Sequence, residues 1–248
     1  MRMKSKIASV LFLVLPGFLA AQAANPAPVA ITSEPSHHLA LKNDKVRVFK
    51  VEVAPHASTL LHQHDHDYLF VTLGESEVSN EVQGKPPVTL QLKNGEIHFV
   101  KGGFAHVAKN LSDKPFRNVT IELMQTAQGE VRVCDSAKEK CNVQFGSQCS
   151  IGGLVICAST KDLITAANFR VRETTIPASL SSAAQQNHNG YLLIAISALQ
   201  LRSKTGKGKG ASLISKKGGD VAWMPGGNTG TLTNLAKTPA RFITLEFE

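Results

Sequence analysis

The sequence predicts an all-β fold made of two tandem copies of one β-domain, on three observations. Short β-branched and apolar runs alternate with Gly, Pro and Asn clusters. No stretch carries a 3.6-residue apolar period over three turns, and the second half of the chain repeats the first at a nearly constant offset. With 248 residues, 42% hydrophobic and 19% charged, the chain has globular composition and enough length to bury a core.

Taken in order, the chain opens on Arg2, Lys4 and Lys6, then an apolar run from Ile7 to Ala21 broken by Pro16. The run reaches Ala21-Gln22-Ala23, a small-x-small site, so residues 1–23 read as a cleaved export signal. The run falls short of the ~20 continuous apolar residues of a membrane span, so no stable anchor is expected. A secreted or periplasmic protein follows. Residues 24–38 form a Pro/Ala-rich leader ending in His37-His38, read as solvated. Strands Val46–Val53, Tyr68–Leu73, Val88–Leu92, Ile97–Val100 and Phe116–Met124 fill a first domain over 39–126. Residues 127–159 are a Cys-rich insert, and a second strand series occupies 160–248.

The repeat is specific. Val51–Pro55 matches Glu173–Pro177 at an offset of 122, and Tyr68-Leu-Phe-Val matches Tyr191-Leu-Leu-Ile at 123. Gly95, Gly102, Gly103, Asn110, Pro115, Arg117 and Glu122 then fall on Gly219, Gly226, Gly227, Asn234, Pro239, Arg241 and Glu246 at 124. Turn residues recur in any β-protein, but that does not account for Arg and Glu keeping the same spacing.

Cys134, Cys141, Cys149 and Cys157 are separated by six, seven and seven residues, with no C-x-x-C pair. In an exported chain this pattern reads as two disulfides with the pairing open, rather than a zinc ribbon. The formal charge is +8, and loss of the signal leaves 24 basic against 19 acidic residues, ordinary for an exported protein. Aromatic residues make up 6%, with one Trp, so stacking platforms for nucleic acid are lacking. The basic stretch Arg202–Gly210 lacks the phosphate-loop pattern and is read as a hairpin tip.

The chemistry concentrates in the first copy. His62, His64 and His66 alternate, so on a strand they share one face and converge on one point. Neutral imidazoles suit Fe, Zn, Cu, Ni or Mn, and His106 follows a Gly102-Gly103 turn that can return its strand beside the first. In the second copy the matching positions are Gln185, Asn187, Asn189 or Gly190, and Gly230, so that copy is expected to be metal-free.

These residues carry a family resemblance. His62-Gln-His64, an acidic position and Gly74 resemble the first cupin motif, G(x)5HxH(x)3–4E(x)6G. Gly95(x)5-Lys101-x-Gly103-xx-His106-xxx-Asn110 resembles the second, G(x)5PxG(x)2H(x)3N, with Lys101 where Pro is usual. The second copy restores Pro225 but has Gly230 in place of the His. The resemblance implies two tandem double-stranded β-helix barrels of the cupin, jelly-roll-like kind, the second degenerate. It implies His62, His64, Asp67 and His106 as ligands of one divalent transition metal. The acidic ligand stays open: counting back from Gly74 gives Asp67, counting forward from His64 gives Tyr68, and a tighter loop brings in His66. Three His with a carboxylate favour Fe or Mn over Zn, Ni or Cu. Two functions compete: a small-molecule oxidoreductase of dioxygenase type, and a non-catalytic exported ligand-binding or structural protein. The expected partner is a small molecule, with no nucleic acid, in a monomer or homodimer.

Overall fold

The computed structural model describes residues 27–134, 141–151, 155–187, 189–205 and 211–248. The proposed signal therefore lies outside the described residues, as do 206–210 of the basic stretch. The first unit runs β1 (Val29–Ala30), a 3-10 turn (Ile31–Ser33), β2 (His37–Lys42), β3 (Val46–Val53), β4 (His62–His64), β5 (Tyr68–Leu73), β6 (Ser76–Val82), β7 (Val88–Leu92), β8 (Ile97–Val100), β9 (Phe104–Asn110) and β10 (Phe116–Leu123). The second runs β11 (Arg132–Val133), β12 (Val143–Ile151), β13 (Val155–Thr165), β14 (Phe169–Ile176), β15 (Gln185–Asn187), β16 (Tyr191–Ala195), β17 (Leu199–Thr205), β18 (Ser212–Lys216), β19 (Val221–Met224), β20 (Asn228–Asn234) and β21 (Ala240–Phe247).

Each unit is a pair of sheets. The first pairs β1-β4-β9-β6-β7 with β2-β3-β10-β5-β8. The second pairs β15-β20-β17-β18 with β11-β13-β14-β21-β16-β19, which β12 extends through β13. The order β3-β10-β5-β8 recurs as β14-β21-β16-β19, and β4-β9-β6-β7 recurs as β15-β20-β17-β18. The jelly-roll expectation and the internal duplication are thus both present in strand order.

The repeated Asn explains part of this. Asn110, fully buried, donates from Nδ2 to the carbonyls of Val53 (3.1 Å), Ala54 (3.1 Å) and Lys114 (2.7 Å), and accepts from the Ser112 amide (3.0 Å). Asn234 does the same to Ile176 (2.9 Å) and Thr238 (2.8 Å), accepting from Ala236 (2.9 Å). Each Asn satisfies carbonyls that a strand-to-strand corner leaves without ladder partners.

The two units share one core. Val119, Ile121 and Leu123 of β10, with Leu69 and Val71 of β5, pack on Phe169, Val171, Ile243 and Leu245 of the second unit. Strand alternation sends Phe116, Asn118, Thr120 and Glu122 of β10 the other way, into the first barrel. Both faces of β10 are covered, so seven of its eight residues are buried.

Two segments differ from the sequence reading. The leader does not stay apart: β1 pairs in parallel with β4, Ile31 is buried, and β2 joins the sheet through β3. Its apolar Val29 and Ile31 give it a face to bury, which the Pro/Ala content masked. The Cys-rich stretch carries strands that widen the second barrel's sheet. Cys134 is disulfide-bonded to Cys141, and Cys157, also disulfide-bonded, faces Cys149 across the β12–β13 ladder.

Candidate metal centre

Strand β4 lies between β1 and β9, with His62 opposite His106 in register. The return turn depends on two glycines. Gly103 has φ +88°, and its amide donates to the His64 carbonyl (2.7 Å). A Cβ on Gly102 would stand 2.4 Å from the His66 carbonyl oxygen, so only glycine fits there.

The three imidazoles meet inside the barrel. Ring centroids lie 5.1 Å apart for His62 and His64, 4.5 Å for His62 and His106, and 5.2 Å for His64 and His106. His62 Nδ1 donates to the Leu60 carbonyl (2.9 Å) and His106 Nδ1 to Asn80 Oδ1 (2.6 Å). Each of these bonds fixes the tautomer that leaves a lone pair on Nε2. His62 Nε2 is buried without a protein partner, and His106 Nε2 lies 3.2 Å from His64 Nε2. Two ligand nitrogens sharing a metal at ordinary bond lengths stand about 2.9–3.4 Å apart, so the spacing fits a cation between them. Burial pushes His62 down to about 4, His64 to about 2 and His106 to about 3, which keeps all three neutral and metal-competent near pH 7.

His64 has a carboxylate behind it. Its Nδ1 is 3.9 Å from Glu122 Oε1, and both atoms are buried without a hydrogen-bond partner. Glu122 is ion-paired with Arg47 through its other oxygen (2.5 Å). A small inward shift of the imidazole would give the carboxylate–histidine arrangement that orients metal ligands. Tyr68 stacks on the His64 ring at 4.0 Å, and burial, with Glu122 nearby, raises its phenol well above the ordinary value.

The remaining sequence candidates fall elsewhere. The Asp67 carboxylate accepts from Lys101 Nζ (2.9 Å), the Gly102 amide (3.1 Å) and the Ala127 amide (3.2 Å). Burial would raise its pKa, but these donors outweigh it and hold it below the usual carboxylate range. The two departures from the motif, Asp67 for Glu and Lys101 for Pro, are thus bonded to each other. Neither Asp67 nor His66 lines the cavity beneath the histidines; Tyr68 does. In the second barrel, Gln185 faces Gly230 in the register that His62 and His106 hold in the first.

Sequence reasoning missed His37. Its side chain is 5% exposed, its ring lies 4.8 Å from that of His62, and nitrogens of His37, His62 and His64 fall within 4.8 Å of one another. His37 Nδ1 bonds Glu34 Oε2 (2.6 Å). Burial works against the Glu34 anion, yet hydrogen bonds from His37, Leu60 and Ser36 hold its pKa low. Glu34 and His37 are three residues apart, and that pairing was the available signal.

No protein-family model and no curated protein sequence matches the chain. Solved structures do. AerE from Microcystis aeruginosa superposes with a TM-score of 0.56 at 11% identity, covering 87% of this chain and 98% of that one. The fold is that of a bicupin. A variant of Bacillus subtilis oxalate decarboxylase OxdC gives 0.58 at 10% identity, over 82% of this chain and 68% of that one. A further oxalate decarboxylase structure gives 0.58 at 10%, over 85% and 74%. At such identities the likeness establishes the bicupin architecture, and the chemistry rests on the residues of this chain.

Proposed function

We propose that the first barrel holds one divalent transition metal on His62, His64 and His106 and acts on a small molecule bound in the cavity beneath them. The observation that carries this reading is the set of three buried imidazoles, two locked at Nδ1, with ring centroids 4.5 to 5.2 Å apart and Nε2 of His64 and His106 separated by 3.2 Å. A metal there supplies Lewis-acid or redox chemistry at positions the protein leaves open. Asp67 is committed to Lys101, so the donor set is nitrogen-rich, which favours Fe, Zn, Cu or Ni over Mn. Within that set an Fe-dependent oxidoreductase of dioxygenase type is our reading. Asn80 orients His106, and Glu122 stands 3.9 Å behind His64, where a small shift of the ring would let it do the same. His37, held by Glu34, stands beside the site as an additional imidazole. The N-terminal charged and apolar pattern and the Cys134–Cys141 disulfide support export to an oxidising compartment.

Elemental analysis of protein purified without an immobilised-metal column tests this. The expected result is about one equivalent of transition metal per chain, lost in His64→Ala and His106→Ala. No uptake after reconstitution, or uptake unchanged in both variants, overturns it. Oxygen consumption by the loaded protein then separates oxidase or dioxygenase chemistry from simple binding.

A further inference from the structure

The cavity under the histidines has a volume of about 190 Å³, and its lining says what it accepts. An apolar cavity of about 150 Å³ holds a benzene ring, so a single six-membered ring with one small substituent fits here. The walls are Val51, Phe70, Val78, Leu90, Phe99 and Phe116, with no Lys, Arg, Asp or Glu among the lining residues. The nearby cations are already committed: Lys101 to Asp67 and Arg47 to Glu122. An anion entering this space would give up its hydration with only the metal to offset the loss, and no fixed donor charge waits for a second carboxylate.

Away from the imidazole cluster and Tyr68, the polar lining is Thr59, Asn80, His98, Asn118 and Thr120. Asn80 is bonded to His106, Thr59 accepts from the Ala108 amide, and His98 Nε2 lies 3.1 Å from Glu96 Oε1. Asn118 and Thr120 both line the cavity from β10, and Thr120 Oγ1 donates to Asn118 Oδ1 (2.8 Å). That bond orients the amide, and Asn118, a buried residue, has no protein acceptor for Nδ2 among the described residues. A donor on the cavity wall with no protein acceptor is a place where a ligand oxygen can replace water at no loss of hydrogen bonding.

We propose that this cavity recognises a neutral, ring-sized, mainly apolar molecule carrying an oxygen acceptor for Asn118, and discriminates against carboxylates. The inference rests on the metal reading above for what happens at the histidine end, but its selectivity is set by Asn118 and the apolar wall. It separates this chain's substrate class from the one that the name oxalate decarboxylase gives its structural neighbours.

The test is calorimetric titration of the metal-loaded full chain, and in parallel the metal-free chain, with benzyl alcohol, toluene, benzoate and oxalate. Benzyl alcohol is expected to bind at least tenfold more tightly than benzoate or oxalate. Asn118→Leu is expected to lower its affinity about tenfold while leaving toluene unchanged, and Leu90→Phe to weaken both ring ligands by filling the cavity. Benzoate or oxalate binding more tightly than benzyl alcohol overturns the proposal, as does failure of both neutral rings to bind, or equal loss of toluene and benzyl alcohol in Asn118→Leu. If the chain takes up no metal yet shows the expected ligand order, the metal reading fails and this one stands. If it takes up metal and prefers the carboxylates, the reverse holds.

Discussion

Acidifying the metal-free protein is expected to destabilise it steeply between pH 6.5 and 5. His62, His64 and His106 titrate in the native state at about 4, 2 and 3, against about 6.5 in an unfolded chain. Above pH 6.5 neither state binds these protons, and the native state keeps its full stability. Below it, the unfolded chain takes up protons that the buried rings refuse, so stability falls with pH. At pH 5, about 1.5 units below the unfolded pKa, protonation favours the unfolded chain by about 2 kcal/mol for each ring and about 6 kcal/mol for the three. A typical domain has about 5–15 kcal/mol in total, so a third or more of the margin disappears before most carboxylates protonate. Urea denaturation followed by fluorescence of Trp223, the sole tryptophan, at pH 7.5, 6.5, 5.5 and 5 measures this directly. His64→Gln should flatten the pH slope by about a third, because one titrating ring is gone. Stability that stays level from pH 7 to 5 with an unchanged m-value would refute the picture of three neutral, water-excluded imidazoles.

Two further outcomes follow from named contacts. Asn110→Ala removes one acceptor and one donor group serving three carbonyls and an amide, all in a buried corner, and should cost about 2–4 kcal/mol in denaturant unfolding without changing metal stoichiometry. Glu122→Gln keeps the side chain's shape but weakens the anion behind His64, and should loosen the metal about 10–100-fold in a chelator competition while one site per chain remains.

How much of this was legible beforehand depended on which residues act through backbone geometry and which through tertiary placement. Gly103, Asn110 and their counterparts Gly227 and Asn234 are constrained by local turns and corners, so their spacing alone located the strands and the duplication. His62, His64 and His106 were grouped by alternation and by the glycine turn between the strands, and the register His62 to His106 brings them together. The acidic position was a different matter. Counting could set Asp67 within a residue of the site, but the direction of its carboxylate is decided by the Lys101 ammonium and two amides, which no spacing encodes. His37 was out of reach for the same reason: it reaches the cluster only because the arm before it pairs along β4 and buries Ile31. Glu122 was noticed as a repeat of Glu246, while its inward direction follows from sharing β10 parity with Asn118 and Thr120.

The second barrel separates the parts of the motif that build the fold from those that form the candidate metal centre. It keeps two positive-φ glycines, Gly219 and Gly227, the corner Asn and the strand register, yet replaces the imidazole on β20 by Gly230 without losing the ladder to β15. The scaffold therefore does not need the ligands. What the second barrel adds is a rigid backing. Its Phe169, Val171, Ile243 and Leu245 pack on Val119, Ile121 and Leu123, the outward residues of the same strand whose inward residues are Asn118, Thr120 and Glu122. A one-residue slip of β10 would exchange those two sets, putting Asn118 and Glu122 into the shared apolar core. Burial of the outward face thus fixes the register of the wall that faces the histidines, to the precision a ligand-binding constellation requires. A barrel that carries Gly230 where the first has His106 still contributes to the site by holding β10 in place.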